Sequence, residues 1–326
     1  MKSFLVGLCI LSIVFCISFG VAFTSIPTDK VKVTEVEIIT ITPGTTVSQV
    51  MSQLQNSPLD LLDKIWLKLH PEYQNIKAGA YEVDPSMTLS QTLNKIVDGN
   101  VLTHSVTLVE GQTLREWLMQ LANAPGLVMD VSYDQIAWRY YDDEDKEYLE
   151  GFLLPNTYQY NHGSRVSDLL KRAEAAQASL IEELLSKASL PPEIKNAEDW
   201  VILASIIEKE TGRAEERERI AGVFLNRLRL GMRLQTDPTV IYGIGPNFNG
   251  NITRRDLQTK TSHNTYRIDG LPPTPISAPS EASLTAVLYP DETDDLYFVA
   301  KGDGSHHFSK SLAEHNAAVR KYQLNK

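Results

Sequence analysis

Glu210 ends the segment Asp199-Trp200-Val201-Ile202-Leu203-Ala204-Ser205-Ile206-Ile207-Glu208-Lys209-Glu210-Thr211, and its position suits a proton donor. Leu203, Ile206 and Ile207 form an apolar stripe at helical spacing. The next position on that stripe, seven residues after Leu203, holds Glu210. A carboxylate beside apolar walls loses hydration, which favours its neutral form and raises its pKa. A glutamic acid that keeps its proton near neutral pH can give it to a glycosidic oxygen. Glu208 lies about 200° around the same helix and is expected to be solvated, beside Lys209. Spacing alone also allows a plainer reading, in which Glu210 is a helix-terminal carboxylate paired with Arg213, Arg217 or Arg219.

The elements that must position this helix can be read from caps and breakers. Asn196 or Asp199 can cap its start, and Gly212 fits just past its end. Residues 166–188 are helical by periodicity, and Pro191-Pro192 stops that helix. Residues 128–165 are irregular, and a compact catalytic domain is expected over 193–326, after a connecting region over 105–192. Upstream, one pattern occurs three times: a short alternating strand, a turn, and a helix opening of the form Thr-x-x-Gln or Thr-x-x-Glu, at Thr46, Thr88 and Thr113. Each opening is a capping box, in which the Thr hydroxyl accepts from the third helical amide and the Gln or Glu reaches back. The first two units, with a helix between them at about 58–70, predict a β-α-α-β module within 37–104. That order resembles a LysM-like glycan-binding module; a small α+β spacer would have the same pattern.

Several further runs carry a resemblance to a known family. They are Glu208-Lys209-Glu210-Thr211, Val223-Phe224-Leu225-Asn226-Arg227-Leu228, Met232-Arg233-Leu234-Gln235-Thr236-Asp237-Pro238-Thr239-Val240-Ile241-Tyr242-Gly243, Asn264-Thr265-Tyr266 and Gly270-Leu271-Pro272-Pro273. Glu150-Gly151-Phe152-Leu153-Leu154-Pro155-Asn156-Thr157-Tyr158, Leu296-Tyr297-Phe298-Val299-Ala300, His306-His307-Phe308 and His315-Asn316 extend them. Together these resemble the MltG (YceG-like) endolytic murein transglycosylases over nearly all of the chain after its first segment. Asn156 stands where that family has Asp, and His263 where Tyr is common; Thr274, Ala278 and Ser280 also depart from its pattern.

The resemblance implies that Glu210 is the catalytic acid/base, since lytic transglycosylases commonly carry a Glu followed directly by a hydroxyl residue, as in Glu210-Thr211. It implies cleavage between N-acetylmuramic acid and N-acetylglucosamine. Glu210 would protonate the linking oxygen, the muramic C6 hydroxyl would trap the oxocarbenium-like centre, and the Glu210 carboxylate would take the hydroxyl proton. An intramolecular nucleophile at high effective concentration removes the need for the second carboxylate of a hydrolase. Gln235, Asp237, Tyr242, Asn264, Tyr266 and Asn226 are the candidate cleft residues, because amides and carboxylates suit sugar hydroxyls and Tyr offers a flat face to a pyranose ring. Each has a plainer alternative: a turn at Asp237-Pro238, a core position for Tyr266, or Asn226 and Arg227 pairing on a helix surface. A non-catalytic glycan-binding scaffold and a muramidase-type hydrolase are the competing functions. The family also implies peptidoglycan synthases as partners.

His306, His307 and His315 match no common zinc spacing, and neither metal nor cofactor is expected. With 326 residues, 42% of them hydrophobic, the chain can build two domains with real cores. A net charge of −10 without Lys/Arg blocks argues against nucleic acid as a partner. Phe4 to Phe23 carries no charge and follows Lys2. Its length suits a transmembrane anchor over 4–23 with residues 1–3 in the cytoplasm, a linker over 24–36, and the remainder outside the inner membrane, in the periplasm. A cleaved signal peptide is the rival reading. Cys9 and Cys16 both lie in this segment, so the exported part has no disulfide. The fold class expected is α+β: an N-terminal transmembrane helix, the LysM-like module and a mixed α/β YceG-like catalytic domain.

Overall fold

The computed structural model describes residues 2–136, 138–140 and 146–324. It is a mixed α/β fold in which the chain divides into two compact units. The first comprises Met1–His104 with Pro125–Leu127 and Gln159–Ser164; the second comprises Ser105–Ala124, Val128–Tyr158 and Arg165–Lys326.

The first unit begins with α1 (Lys2–Ser25), whose apolar side chains from Leu8 to Val21 are largely exposed. By length and composition this helix can cross a membrane. Then follow β1 (Glu37–Ile41), α2 (Val47–Leu54), α3 (Leu61–Leu69), β2 (Gly79–Val83) and α4 (Leu89–Asp98). β1 and β2 pair antiparallel, with Glu37 opposite Val83 and Ile41 opposite Gly79. Two strands alone are marginal in water. Here α2, α3 and α4 lay their apolar faces on them, enclosing Met51, Leu54, Trp66, Tyr81, Leu93 and Ile96. The boxes at Thr46/Gln49 and Thr88/Gln91 both close as their sequence predicts. α3 has a third box, Asp60/Asp63, that the Thr-x-x-Gln pattern did not flag. β3 (Thr103–Leu108) follows and pairs with β6 (Asn156–Asn161).

The second unit contains α5 (Leu114–Ala122), opened by the Thr113/Glu116 box, then α6 (Tyr133–Ile136) and the paired β4 (Trp138–Tyr140) and β5 (Lys146–Tyr148). After β6 come α7 (Val166–Lys187), α8 (Ala197–Glu210), α9 (Arg217–Arg229), α10 (Asp237–Ile244), α11 (Arg254–Gln258) and α12 (Glu281–Leu288). The hairpin β7 (Tyr297–Ala300) and β8 (His306–Ser309) and the helix α13 (Leu312–Val319) complete it.

α8 is the centre of this unit. Every residue from Trp200 to Ile207 is buried, so the helix is enclosed around its whole circumference rather than along one stripe. The Asn196 side chain caps its start by accepting from Asp199 N–H at 2.8 Å. Trp200 Nε1 donates to the Leu284 carbonyl at 2.9 Å, tying α8 to α12. Ser205 accepts from the Ile276 N–H at 3.0 Å, and Ser277 donates back to the Ser205 carbonyl at 3.1 Å. α9 approaches the 291–295 loop so closely that a Cβ at Gly222 would lie 2.7 Å from the Asp291 carbonyl oxygen.

Enclosure of α8 corrects one expectation. Glu208 is not solvated beside Lys209. Its side chain is 5% exposed and accepts from Ser280 N–H at 2.9 Å, from the Ser280 hydroxyl and from the Ser283 hydroxyl at 2.7 Å. Ser280 is the N-cap of α12, so Glu208 sits at the positive end of that helix. An amphipathic pattern assigns the face opposite the apolar stripe to water; here α12 covers that face.

Candidate active site

α8 delivers Glu210 as its last residue. The helix ends on Thr211, which is extended (φ −145°, ψ 134°) and whose N–H bonds the Ile207 carbonyl. Gly212 does not supply the left-handed cap expected of it. The side chain of Glu210 opens into a pocket of about 440 Å³. The segment entering α10 forms one wall with Gln235, Thr236 and Asp237, and Tyr266 stands beside them. Arg227 of α9 and the β7 strand form another wall, and α13 contributes Leu312, His315 and Val319.

Each wall has a local cause. Thr236, the residue before α10, donates its hydroxyl to Glu210 Oε1. Thr236 is fixed in turn by the buried hydroxyls of Thr265 and Thr239: Thr236 N–H donates to Thr265 Oγ1 at 3.0 Å, and Thr239 Oγ1 donates to the Thr236 carbonyl at 2.7 Å. Gln235 has φ +49°, a conformation in which a non-glycine residue is strained, and its N–H is held by the Thr265 carbonyl at 3.2 Å. Tyr266 donates to Asp237 Oδ1 at 2.7 Å. Arg227 is 7% exposed and is held by carbonyls rather than a carboxylate, through Nε to Leu296 at 2.7 Å and Nη1 to Leu234 at 2.7 Å.

These surroundings favour the acid form of Glu210. Burial pushes its pKa above the usual carboxylate value and the nearby Asp237 charge adds to this; the Thr236 hydroxyl, His306 and Arg227 pull the other way. The negative end of the α8 dipole also disfavours charge at this position. Burial lowers the Arg227 pKa, and raises that of Tyr266 with help from its bond to Asp237.

Of the residues expected in the cleft, Gln235, Asp237 and Tyr266 line this pocket with Glu210, whereas Tyr242, Asn264 and Asn226 do not. Asn264 is fully buried and its amide donates to the carbonyls of Asp256, Leu257 and Thr259, closing the end of α11. Asn226 is 6% exposed and spends its amide on the carbonyls of Thr293 (2.7 Å) and Asp295 (3.1 Å). Neither Asn226 nor Arg227 forms a surface pair; both are buried. Tyr242 donates to Glu150 Oε2 at 3.2 Å. Glu150 is 5% exposed, also accepts from Leu114 N–H at 2.9 Å, and is pushed by burial to a pKa of about 7. Thr236, Arg227 and Tyr297 line the pocket although spacing gave them no catalytic signal. All three sit inside the runs that carry the family resemblance, which was the one available pointer. The three histidines part company: His306 and His315 line the pocket, and His307 packs on Tyr322.

The sequence profile of the YceG-like family matches residues 39–321. The chain belongs to the YceG-like family. It is 30% identical over 318 residues to the endolytic murein transglycosylase of Bacillus subtilis (strain 168), covering 91% of this chain and 87% of that protein. It is 24% identical to the endolytic murein transglycosylase of Streptococcus pneumoniae serotype 2, covering 86% of this chain and 57% of that one. The crystal structure of a YceG-like protein from Listeria monocytogenes superposes with a TM-score of 0.56 at 28% identity, covering 87% of this chain and 99% of that one. Departures from the YceG-like pattern lie away from the Glu210 pocket. Two of them contact each other: His263 Nε2 and Thr274 Oγ1 are 2.8 Å apart, and burial lowers the imidazole pKa to about 4.

Proposed function

We propose that this chain is an endolytic murein lytic transglycosylase with Glu210 as its acid/base. The observation that carries the reading is the enclosed carboxyl at the end of α8, raised in pKa by burial and aimed into a pocket lined with sugar-compatible Gln, Asp and Tyr side chains. The curated relatives named for this activity support it. A glycan strand lies with the oxygen joining N-acetylmuramic acid to N-acetylglucosamine at the free oxygen of Glu210, since Thr236 occupies the other. Glu210 gives its proton to that oxygen as the bond to muramic C1 breaks. The muramic C6 hydroxyl closes on C1, its proton returns to Glu210, and the product is a 1,6-anhydromuramyl end. The C6 oxygen is held within its own sugar, so no positioned water is needed. Gln235, Asp237 and Tyr266 bind sugar hydroxyl and N-acetyl groups.

The β1-α2-α3-β2 arrangement supports a LysM-like, glycan-binding role for the 37–104 module. Helix α1 supports a single-pass anchor that keeps the remainder at the outer face of the inner membrane, near nascent strands and the synthases that make them.

Mass spectrometry of glycan digested with purified protein tests the reading. Anhydromuramyl ends, lost in Glu210→Gln with the same thermal melting profile, are expected. Reducing muramic ends, heavier by one water, would instead establish a hydrolase, and binding without product a scaffold.

A further inference from the structure

Helix α1 does not hang from the first unit on a flexible stalk. Its exposed stretch ends near Phe19, and Ala22 and Phe23 are already half-buried, Phe23 against the core that holds Trp66 and Leu67 of α3. The chain after α1 continues that contact. Ile26 and Val31 are buried; Val31 N–H donates to the Met87 carbonyl at 3.1 Å, Lys32 N–H to the Leu54 carbonyl at 2.8 Å, and the Asp29 carbonyl accepts from Leu89 N–H at 2.8 Å. Phe4 to Phe23 supplies twenty uncharged residues, about 30 Å of helix, which is the thickness of a hydrocarbon core. A span of that length uses α1 up to the residues that pack on the module. The module therefore abuts the bilayer with no spacer between them, and α3 lies against α1.

The outward face of α3 has the composition of a membrane-surface helix. Leu61 is 73% exposed and Leu69 64%, with half-buried Ile65 between them. Two steps of four residues put the three side chains in one stripe. Single exposed leucines are ordinary, but an apolar stripe along one helix marks a contact surface. Lys64 and Lys68, both exposed, border it, and Lys30 and Lys32, also exposed, follow α1. These cations gather beside the span in a chain of net charge −10. The acids of the same helix are engaged at its start: Asp60 and Asp63 each accept from the other's backbone N–H, at 2.9 and 3.1 Å. Leucines at the acyl boundary with lysines reaching lipid phosphates are what hold an amphipathic helix in the interfacial plane. We propose that α3 docks in the headgroup layer of an anionic bilayer, through Leu61, Ile65 and Leu69, with Lys64 and Lys68 on the phosphates. This rests on the reading of α1 as a membrane anchor. One spanning helix leaves the module free to swivel about its axis; a second attachment beside it fixes which face the module presents to the glycan.

The test is nitroxide accessibility in the full chain, reconstituted in mixed phosphatidylcholine–phosphatidylglycerol vesicles. Cys9→Ser labelled at Cys16 reports the anchor. Leu61→Cys and Leu69→Cys, each in a Cys9→Ser/Cys16→Ser background, report α3. All three labels are expected to collide more often with dissolved oxygen than with a water-soluble nickel chelate, those at 61 and 69 lying shallower than that at 16. Lys64→Glu/Lys68→Glu is expected to lower the oxygen-to-nickel ratio at 61 and 69 and to leave it unchanged at 16. A label at Lys68→Cys, expected at headgroup depth, serves if a leucine variant does not fold. Nickel-exposed labels at 61 and 69 with Cys16 in lipid would overturn the docking and leave the anchor standing. Labels at 61 and 69 shielded from both reagents would mean that protein covers this face, and would overturn it too. A nickel-exposed Cys16 would sink the anchor reading itself.

Discussion

Thr236 and Glu210 are joined by a hydrogen bond from the Thr236 hydroxyl to Glu210 Oε1, and that bond leaves Oε2 as the oxygen available to a proton in the proposed reaction. With Oε1 occupied by a donor, the acid proton resides on Oε2. Removing a hydrogen bond to a chargeable group costs about 1.5–3 kcal/mol, so Thr236→Val is expected to lower kcat roughly 10- to 100-fold, and Thr236→Ser to retain most of it. The hydroxyl also lowers the Glu210 pKa, against the larger effect of burial. Its loss therefore moves the basic limb of the kcat/KM profile to higher pH. Rate profiles of the two variants check both effects, and an unshifted limb in Thr236→Val would remove Thr236 from the acid's environment.

Glu208 and Glu210 predict opposite phenotypes. Glu210→Gln is expected to abolish product while leaving stability close to wild type. Glu208→Ala strands the Ser280 N–H and two serine hydroxyls at the start of α12. It is expected to cost about 2 kcal/mol or more, read as a lower denaturant midpoint, with kcat largely preserved in the protein that remains folded.

Glu150 makes stability depend on pH. Its carboxyl titrates near 4.5 when free and near 7 in the fold, where burial outweighs the bonds from Leu114 N–H and Tyr242. The contribution of its protonated form is fully present below pH 4.5 and disappears as pH rises through 7. Wild type should thus lose about 3 kcal/mol across this window from this group alone. Glu150→Gln, neutral at all pH, should flatten that part of the curve. Denaturant titrations at several pH values measure it, and an equal slope in the variant would refute the assignment.

Asn264 is predicted to be structural. Asn264→Ala leaves three carbonyls at the end of α11 without their donor and is expected to lower stability by about 1–3 kcal/mol. KM for glycan should change little in the folded fraction. A large KM increase at unchanged melting temperature would return Asn264 to the cleft.

Local structure was legible in the sequence because its causes are local. Thr46, Thr88 and Thr113 each open a helix through a bond to a residue three positions on, so the motif contains its own explanation. The placement of Glu210 followed the same logic: Leu203, Ile206 and Ile207 imply a buried face, and the carboxyl continues it. What the far side of that helix meets is not a local property. Glu208 is buried because α12, more than seventy residues later, lies across it. Asn226 and Asn264 have the polarity of sugar ligands, yet their amides close loops whose carbonyls come from other segments. The same holds inside the pocket, where Thr236, Arg227 and His306 come from three separate elements and no spacing relates them to Glu210. Sequence by itself determined the helix and the carboxyl that continues its apolar stripe; tertiary packing alone decided the neighbours, because burial and electrostatic fields arise from groups brought together only when the chain folds.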